Sequence, residues 1–156
     1  MRIRLLAAGT RMPDWVDAGY GAYAACLPHE CRLELKEIAL GRRSRGSDPT
    51  RAVLGEGERM LAAVGSSDRI IALDVAGRSL DTQQLARRLD GWMQDGRDLA
   101  LLVGGPDGLA AACLQQAEFR WSLSPLTLPH GLVRVVVAEQ LYRAWSLLRG
   151  HPYHRE

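Results

Sequence analysis

Short apolar runs alternate along the chain with longer segments whose apolar residues recur at helical spacing. Strands are predicted at Arg2–Ala8, Arg32–Ala39, Arg69–Asp74, Asp98–Val103 and Trp121–Leu123. Helices are predicted between them, over 12–27, 48–64, 79–95 and 109–118, and the longest covers 132–148. Because several strands are apolar throughout and alternate with helices, the pattern predicts an α/β domain whose mainly parallel sheet is covered by helices on both faces.

The length and composition suit a single globular domain over 1–156, since the chain has 156 residues of which 47% are hydrophobic. No apolar stretch approaches the ~20 residues that a membrane span needs. The opening segment Met1–Ala8 lacks the long apolar core of a signal peptide. We therefore expect a cytoplasmic protein with no membrane partner.

Arginine supplies almost all of the positive charge, because Lys36 is the only lysine among 20 basic residues, while the formal net charge is +2. The planar guanidinium fork suits phosphates, so this composition permits an RNA partner without requiring one. Arg42, Arg43, Arg45 and Arg51 crowd into one loop and the helix start that follows it. They form either a solvated charge cluster or a surface that contacts phosphates.

The three cysteines, Cys26, Cys31 and Cys113, predict reduced thiols rather than disulfides. A structural zinc site needs four ligands in two close pairs, and Cys26 and Cys31 have no second pair to join them. His151 and His154 have a spacing that permits metal binding, but no carboxylate or cysteine cluster accompanies them. We expect no metal.

Three loops follow predicted strands at the edge where parallel sheets bind ligands: the loop after Asp74, Gly104–Gly108 and Ser124–His130. The glycines of the second loop either bring backbone close to a ligand or form a tight turn. That loop matches neither the GxGxxG dinucleotide motif nor a P-loop. The third loop mixes hydroxyl, leucine and proline residues, which can wrap a flat apolar group or simply connect to the last helix.

The chain ends in residues that can carry chemistry, since Tyr153, His154 and Arg155 are consecutive. A solvated tail is the ordinary expectation for such a terminus. A histidine can nevertheless move a proton near neutral pH, and an arginine can hold an anion. The tail is therefore a candidate for catalysis.

Several motifs, taken together, identify a family. They are AGTRMPDW at 8–15, LD at 73–74, LVGGPDG at 102–108, WSLSPLTLPH at 121–130, LVRV at 132–135, AEQLYRAW at 138–145 and the ending HPYHRE at 151–156. On these motifs the whole chain closely resembles the ribosomal RNA large-subunit methyltransferase H family, minimal members of the SPOUT methyltransferases. The segment 42–65 matches less distinctively. The resemblance implies a SPOUT-type sheet with a trefoil knot in the C-terminal half.

The resemblance also implies an activity. The methyl donor would be S-adenosylmethionine, and the acceptor would be N3 of pseudouridine 1915 of 23S rRNA in the assembled ribosome. The donor pocket implied by the matching motifs consists of Leu73, Gly104, Leu123, Ser124, Pro125, Leu126, Thr127 and Leu128.

The tail fits the chemistry of this reaction, because the pseudouridine N3 must lose a proton to become a nucleophile. His154 fits the role of the base, with His130 as the second candidate. Arg155 fits the role of a positive group near the ring carbonyls. Tyr153 fits the role of an aromatic side chain on which an unpaired base stacks.

Family members are homodimers, and the apolar stripe on 132–148 would either form a self-complementary interface or belong to the core. The tail of one subunit would then complete the pocket of the other. The alternative function is a non-catalytic module with the same fold that binds or assembles ribosomes. The intact glycine, proline-bounded and tail motifs favour the enzyme.

Overall fold

The computed structural model describes residues 1–155 and contains a single five-stranded sheet. Glu156, the last residue of the HPYHRE ending, lies outside the described residues. All strand pairs are parallel, and the strand order is β2-β1-β4-β3-β5. The strands are β1 (Arg2–Ala8), β2 (Arg32–Ile38), β3 (Arg69–Ser79), β4 (Leu99–Val103) and β5 (Phe119–Ser122).

Five α-helices connect and cover these strands, and short 3-10 turns occupy His29–Cys31 and Pro152–Arg155. The helices are α1 (Asp14–Ala24), α2 (Thr50–Ala62), α3 (Thr82–Asp95), α4 (Ala111–Gln116) and α5 (His130–Leu148). Within the described residues, no helix is long and apolar enough to cross a membrane. The predicted α/β class with a parallel sheet is confirmed, whereas the trefoil knot stays a prediction.

Alternate residues of the apolar strands enter two separate cores, one on each face of the sheet. Ile3 and Leu5 pack with α1, α3 and α5, whereas Leu6 packs with α2 and α4. This is the period-two alternation of a strand, and both of its faces are apolar because helices cover both sides. Leu141 of α5 is fully buried within the chain. Part of the apolar stripe on α5 is therefore core.

The strand β3 continues beyond the predicted end at Asp74, as far as Ser79. Its pairing with β5 shifts register between Leu73 and Arg78, so the intervening residues form an irregularity at the carboxyl end of the strand. Gly77 lets the backbone of β5 approach closely, since a Cβ atom at this position would lie 2.7 Å from the Arg120 carbonyl carbon. The alternation pattern alone could not reveal this continuation, because it depends on a distant partner strand.

Helix ends follow local signals in one case and not in another. Asp81 and Gln84 form the reciprocal capping box that begins α3, and Gly96 ends that helix with a φ of +78°. At the start of α2, Pro49 precedes the helix without a side-chain cap. The Asp48 carboxylate instead accepts from the backbone N–H of Thr50 at 2.9 Å.

Candidate functional site

A cavity of about 550 Å³ opens at the carboxyl ends of β3, β4 and β5, and all three predicted loops contribute to it. This volume lies within the range of small-molecule sites. The predicted residues that line it are Leu73, Gly104, Leu123, Ser124, Leu126, Thr127 and Leu128. Pro125, also predicted, is exposed and is not among the lining residues.

The glycine turn after β4 forms one wall, and its backbone occupies the space that side chains would fill. A Cβ atom on Gly104 would lie 2.5 Å from the carbonyl carbon of Gly108, which is closer than real contacts allow. Gly108 has a φ of +79°, and its N–H donates to the Gly105 carbonyl at 3.1 Å. The loop is thus both a tight turn and a wall that exposes backbone to the cavity.

The proline-bounded loop forms the opposite wall and is held by its own hydroxyl groups. Ser122 Oγ donates to the carbonyl of Ser124 at 3.1 Å, and Ser124 Oγ accepts from the N–H of Leu126 at 3.0 Å. Leu126 is 72% exposed, an unusual exposure for a leucine, whereas Trp121 below the loop is buried. The loop therefore offers an apolar surface with the hydroxyl-bearing Thr127 beside it.

The irregular end of β3 completes the cavity with Asp74 and Val75. Asp74 Oδ1 accepts from the N–H of Ala76 at 3.2 Å, which tethers the carboxylate locally. Val75 is exposed. The loop after Asp74 was predicted as part of the site, but the Asp74 carboxylate was not predicted as a lining group. Its signal is a charged residue at the end of an apolar run.

The first turn of α5 lies at the cavity, where His130 and Val133 line it. This turn is anchored by Arg134, whose side chain is fully buried. Arg134 Nη2 donates to the carbonyl of Gly9 at 2.8 Å, and Nη1 donates to Glu37 at 2.8 Å. The buried guanidinium therefore fixes His130 relative to the ends of β1 and β2.

The three predicted catalytic residues of the tail are not among the residues that line the cavity of their own chain. Tyr153 Oη donates to Glu139 at 3.0 Å, and the Tyr153 ring lies 4.5 Å from the Tyr142 ring. Since α5 rises about 1.5 Å per residue, Glu139 lies about 13 Å along the helix from His130. Within one chain, the tail and the cavity are separate.

The tail is nevertheless ordered against α5, contrary to the ordinary expectation of a solvated terminus. Tyr153 and His154 are half-buried, and His154 Nδ1 contacts the His151 carbonyl, whereas Arg155 is exposed. Burial, followed by the hydrogen bond to Glu139, raises the pKa of Tyr153 above its usual value. The phenol is therefore neutral at physiological pH.

An ion triad braces the glycine turn from behind. Arg43 donates to the buried carboxylate of Glu56 at 2.6 and 3.0 Å, and its Nε donates to Asp107 within the turn at 2.8 Å. Glu56 is only 3% exposed and also accepts from the N–H of Gly41 at 2.8 Å. Pairing and hydrogen bonding of this kind are what a buried carboxylate requires. Arg43 thus joins the arginine-rich loop to the cavity wall.

The cysteines lie outside the cavity. Burial raises the pKa of the Cys31 thiol to about 11 and also raises that of Cys113, so both remain protonated at neutral pH. Cys26 is exposed. Among the described residues, no group of three histidine, cysteine or carboxylate side chains is placed to hold a metal ion.

Comparison with known sequences gives a consistent family. A family model described as a predicted SPOUT methyltransferase matches residues 1–154. A protein from Alkalilimnicola ehrlichii named ribosomal RNA large subunit methyltransferase H is 64% identical and covers 99% of each chain. One with the same name from Thioalkalivibrio sulfidiphilus is 60% identical and covers 100% of each chain.

Two solved structures share the architecture. A probable methylase family protein from Haemophilus influenzae superimposes with a TM-score of 0.52 at 13% identity, over 97% of this chain and 69% of its own. A Legionella pneumophila protein, solved in complex with the bound cofactor SAM, superimposes with a TM-score of 0.50 at 11% identity, over 93% of this chain and 66% of its own. At these identities the likeness concerns the fold alone.

Proposed function

The chain belongs to the SPOUT methyltransferase family, and on this premise we propose that it methylates large-subunit ribosomal RNA with S-adenosylmethionine as donor. The observation that carries the proposal is the convergence of three separate loops on one cavity beyond the sheet. The names of the full-length relatives support RNA as the acceptor. A substrate of this kind is consistent with a cytoplasmic enzyme.

The cavity walls fit the donor. The glycine turn that begins at Gly104 presents backbone donors and acceptors to an adenosine group, as nucleotide sites require. Leu73, Leu123, Leu126 and Leu128 offer apolar contact to a flat ring. When bound, S-adenosylmethionine supplies an electrophilic methyl group on a positively charged sulfur. No covalent enzyme intermediate is required, so the protein acts chiefly by alignment.

We propose that the acceptor is N3 of pseudouridine 1915 of 23S rRNA, on the assembled ribosome. This nitrogen carries a proton that must leave before it can attack. His154 would accept that proton, and Arg155 would stabilise the negative charge that develops on the ring carbonyls. Tyr153 would stack on a base of the RNA loop. His130, which lines the cavity, is the second candidate for the base.

The position of the tail supports a homodimer in which each chain completes the site of its partner. Tyr153 and His154 lie along the second half of α5 rather than at the cavity of their own chain. A two-fold interface would place the tail of one copy at the cavity of the other. Half-buried apolar residues of α5, such as Val136 and Trp145, are available for such an interface.

The direct test uses labelled S-adenosylmethionine with ribosomes from cells that lack the activity. Label at N3 of the pseudouridine supports the full proposal, and label on another rRNA base contradicts its specificity. Transfer to free large subunits at the same rate would contradict the requirement for assembled ribosomes. Binding to ribosomes without donor binding in calorimetry would instead identify a non-catalytic module.

A further inference from the structure

Within residues 1–155, the arginine-rich loop and the helix start that follows it carry three guanidinium groups for which no carboxylate partner is found. We propose that Arg42, Arg45 and Arg51 form the surface that binds the phosphates of the RNA substrate, an inference that rests on the proposed function. The three residues, here called the arginine surface, lie between the end of β2 and the first turn of α2. All three side chains are exposed.

Three carboxylates that contact this loop are already occupied. Glu56 and Asp107 are both bound by Arg43, and Asp48 accepts from the backbone and hydroxyl of Thr50. Within residues 1–155, no hydrogen bond or ion pair is found for the side chains of the arginine surface. Their charge is therefore available to an external anion.

Arginines at the opposite edge of the sheet differ. Those at the amino ends of β1, β2 and β3 each pair with a carboxylate: Arg2 with Asp98 at 3.0 Å, Arg32 with Glu34 at 2.8 Å, and Arg69 with Asp95 at 3.0 Å. The charge of these arginines at the amino ends of the strands is thus cancelled, whereas that of the arginine surface is left open.

The arginine surface is held at a fixed place relative to the cavity. Arg43 bonds Asp107 of the glycine turn at 2.8 Å. Leu40, just before the loop, packs so closely that a Cβ atom on Gly105 would lie 2.9 Å from it. RNA bound at these arginines would therefore be positioned relative to the wall that binds the donor.

RNA phosphate is the anion that fits this arrangement. Guanidinium groups bind phosphate oxygens through two parallel hydrogen bonds, and several phosphates follow one another along a strand. Each phosphate contact releases a counterion, so the logarithm of the binding constant falls by about 0.7 to 0.9 for each unit of the logarithm of salt concentration. Three contacts thus contribute a slope of about 2 to 3.

The test compares the wild-type protein with the triple variant Arg42→Gln/Arg45→Gln/Arg51→Gln. A matched control, Arg2→Gln/Arg32→Gln/Arg87→Gln, removes the same charge from the opposite edge and the opposite face, where Arg2 and Arg87 are exposed and Arg32 is half-buried. Binding to ribosomes that lack the methylation is measured from about 50 to about 200 mM salt, the range over which counterion release is large. Methyl transfer and calorimetric donor binding are measured in parallel.

The triple variant should raise KM for ribosomes about tenfold or more and lower the salt slope by about 2, with donor affinity unchanged. If the wild-type protein methylates rRNA and the triple variant shows the same KM and the same salt slope, the proposal for the arginine surface is overturned and the proposed function is not. Weakened binding with an unchanged salt slope would indicate a protein contact and would also overturn it. Absence of rRNA methylation by the wild-type protein would instead reject the proposed function.

Discussion

At the scale of residues, Gly104 determines the shape of the cavity wall through the side chain that it lacks. The backbone of Gly108 occupies the position where a side chain at Gly104 would lie. Any larger residue must therefore move the turn. A binding site formed by backbone is sensitive to such movement because its donors and acceptors shift together.

Gly104→Ala should weaken donor binding at least about tenfold, equivalent to about 1.4 kcal/mol, because the new methyl group displaces the turn. Calorimetry with S-adenosylmethionine measures the effect. Gly91→Ala is the matched control, since a Cβ atom at this position in α3 meets nothing within 4 Å. The control should bind donor normally and gain about 0.5 to 1 kcal/mol of stability. Equal donor affinity in both variants would show that the turn does not contact the donor.

The buried thiol of Cys31 and the buried phenol of Tyr20 predict that the folded protein loses stability at alkaline pH. Burial raises the pKa of Cys31 from 9.0 to about 11, and burial also raises the pKa of Tyr20. Between pH 9.0 and about pH 11, Cys31 keeps its proton in the folded chain and loses it in the unfolded chain. The free energy of unfolding should therefore fall as pH rises through this window, by up to about 1.4 kcal/mol per pH unit for Cys31.

Urea unfolding at several pH values between about 8 and about 10.5 checks this slope. Cys31→Ala should be less stable at neutral pH, because it leaves a cavity, but should show a shallower alkaline slope. Cys26→Ala, at an exposed site, should reproduce the wild-type profile. A slope that does not change in the Cys31 variant would assign the alkaline loss to other groups.

At the scale of elements, the site depends on braces between segments that are distant in sequence. The Arg43 triad joins the loop before α2 to the turn after β4, and Arg134 joins α5 to the ends of β1 and β2. Each uses one guanidinium to join segments that are distant in sequence. Loops at the carboxyl edge are thereby held without additional secondary structure.

Arg43→Gln should destabilise the protein by about 3 kcal/mol, because it leaves the buried carboxylate of Glu56 without its cation. Donor affinity should fall as the glycine turn loses its anchor at Asp107. Arg45→Gln removes the same charge from an exposed neighbour and should change stability by less than about 0.5 kcal/mol. Thermal unfolding and calorimetry distinguish the two variants, and equal stabilities would refute the brace.

At the scale of the whole molecule, cavity and tail are found at different places on one chain, so a complete site requires two copies under the proposed mechanism. Half-buried aromatic residues order the tail along α5: Tyr142 stacks with Trp145 and contacts Tyr153. Because the tail is already ordered, less conformational entropy is lost when it binds to a partner chain.

Two inactive variants should restore activity when mixed. Gly104→Val removes the cavity wall and His154→Ala removes the proposed base, so each homodimer lacks function. Random exchange makes half of the dimers mixed, and each mixed dimer has one complete site, giving about a quarter of wild-type activity. Methyl transfer to ribosomes is the measurement. No recovery, with subunit exchange verified by mass, would contradict completion of the site by a partner chain.

The sequence by itself determined the strands β1, β2 and β4 to within one residue, the end of α3 and the loops that bear the site. These features depend on near neighbours: the period of apolar residues, and glycines such as Gly96 where the chain must turn. The resemblance of motifs added the family. Local information was sufficient wherever the cause of a feature was local.

Only the tertiary structure decided which residues meet. The extension of β3 needs β5 beside it, and β5 itself covers Phe119–Ser122 rather than the predicted Trp121–Leu123. Similarly, α4 covers only Ala111–Gln116, whereas α5 begins at His130, before the predicted start. The partners of Arg43, the burial of Arg134 and the separation of the tail from the cavity arise from contacts between distant segments. Such contacts depend on packing in three dimensions, which periodicity along the chain does not encode.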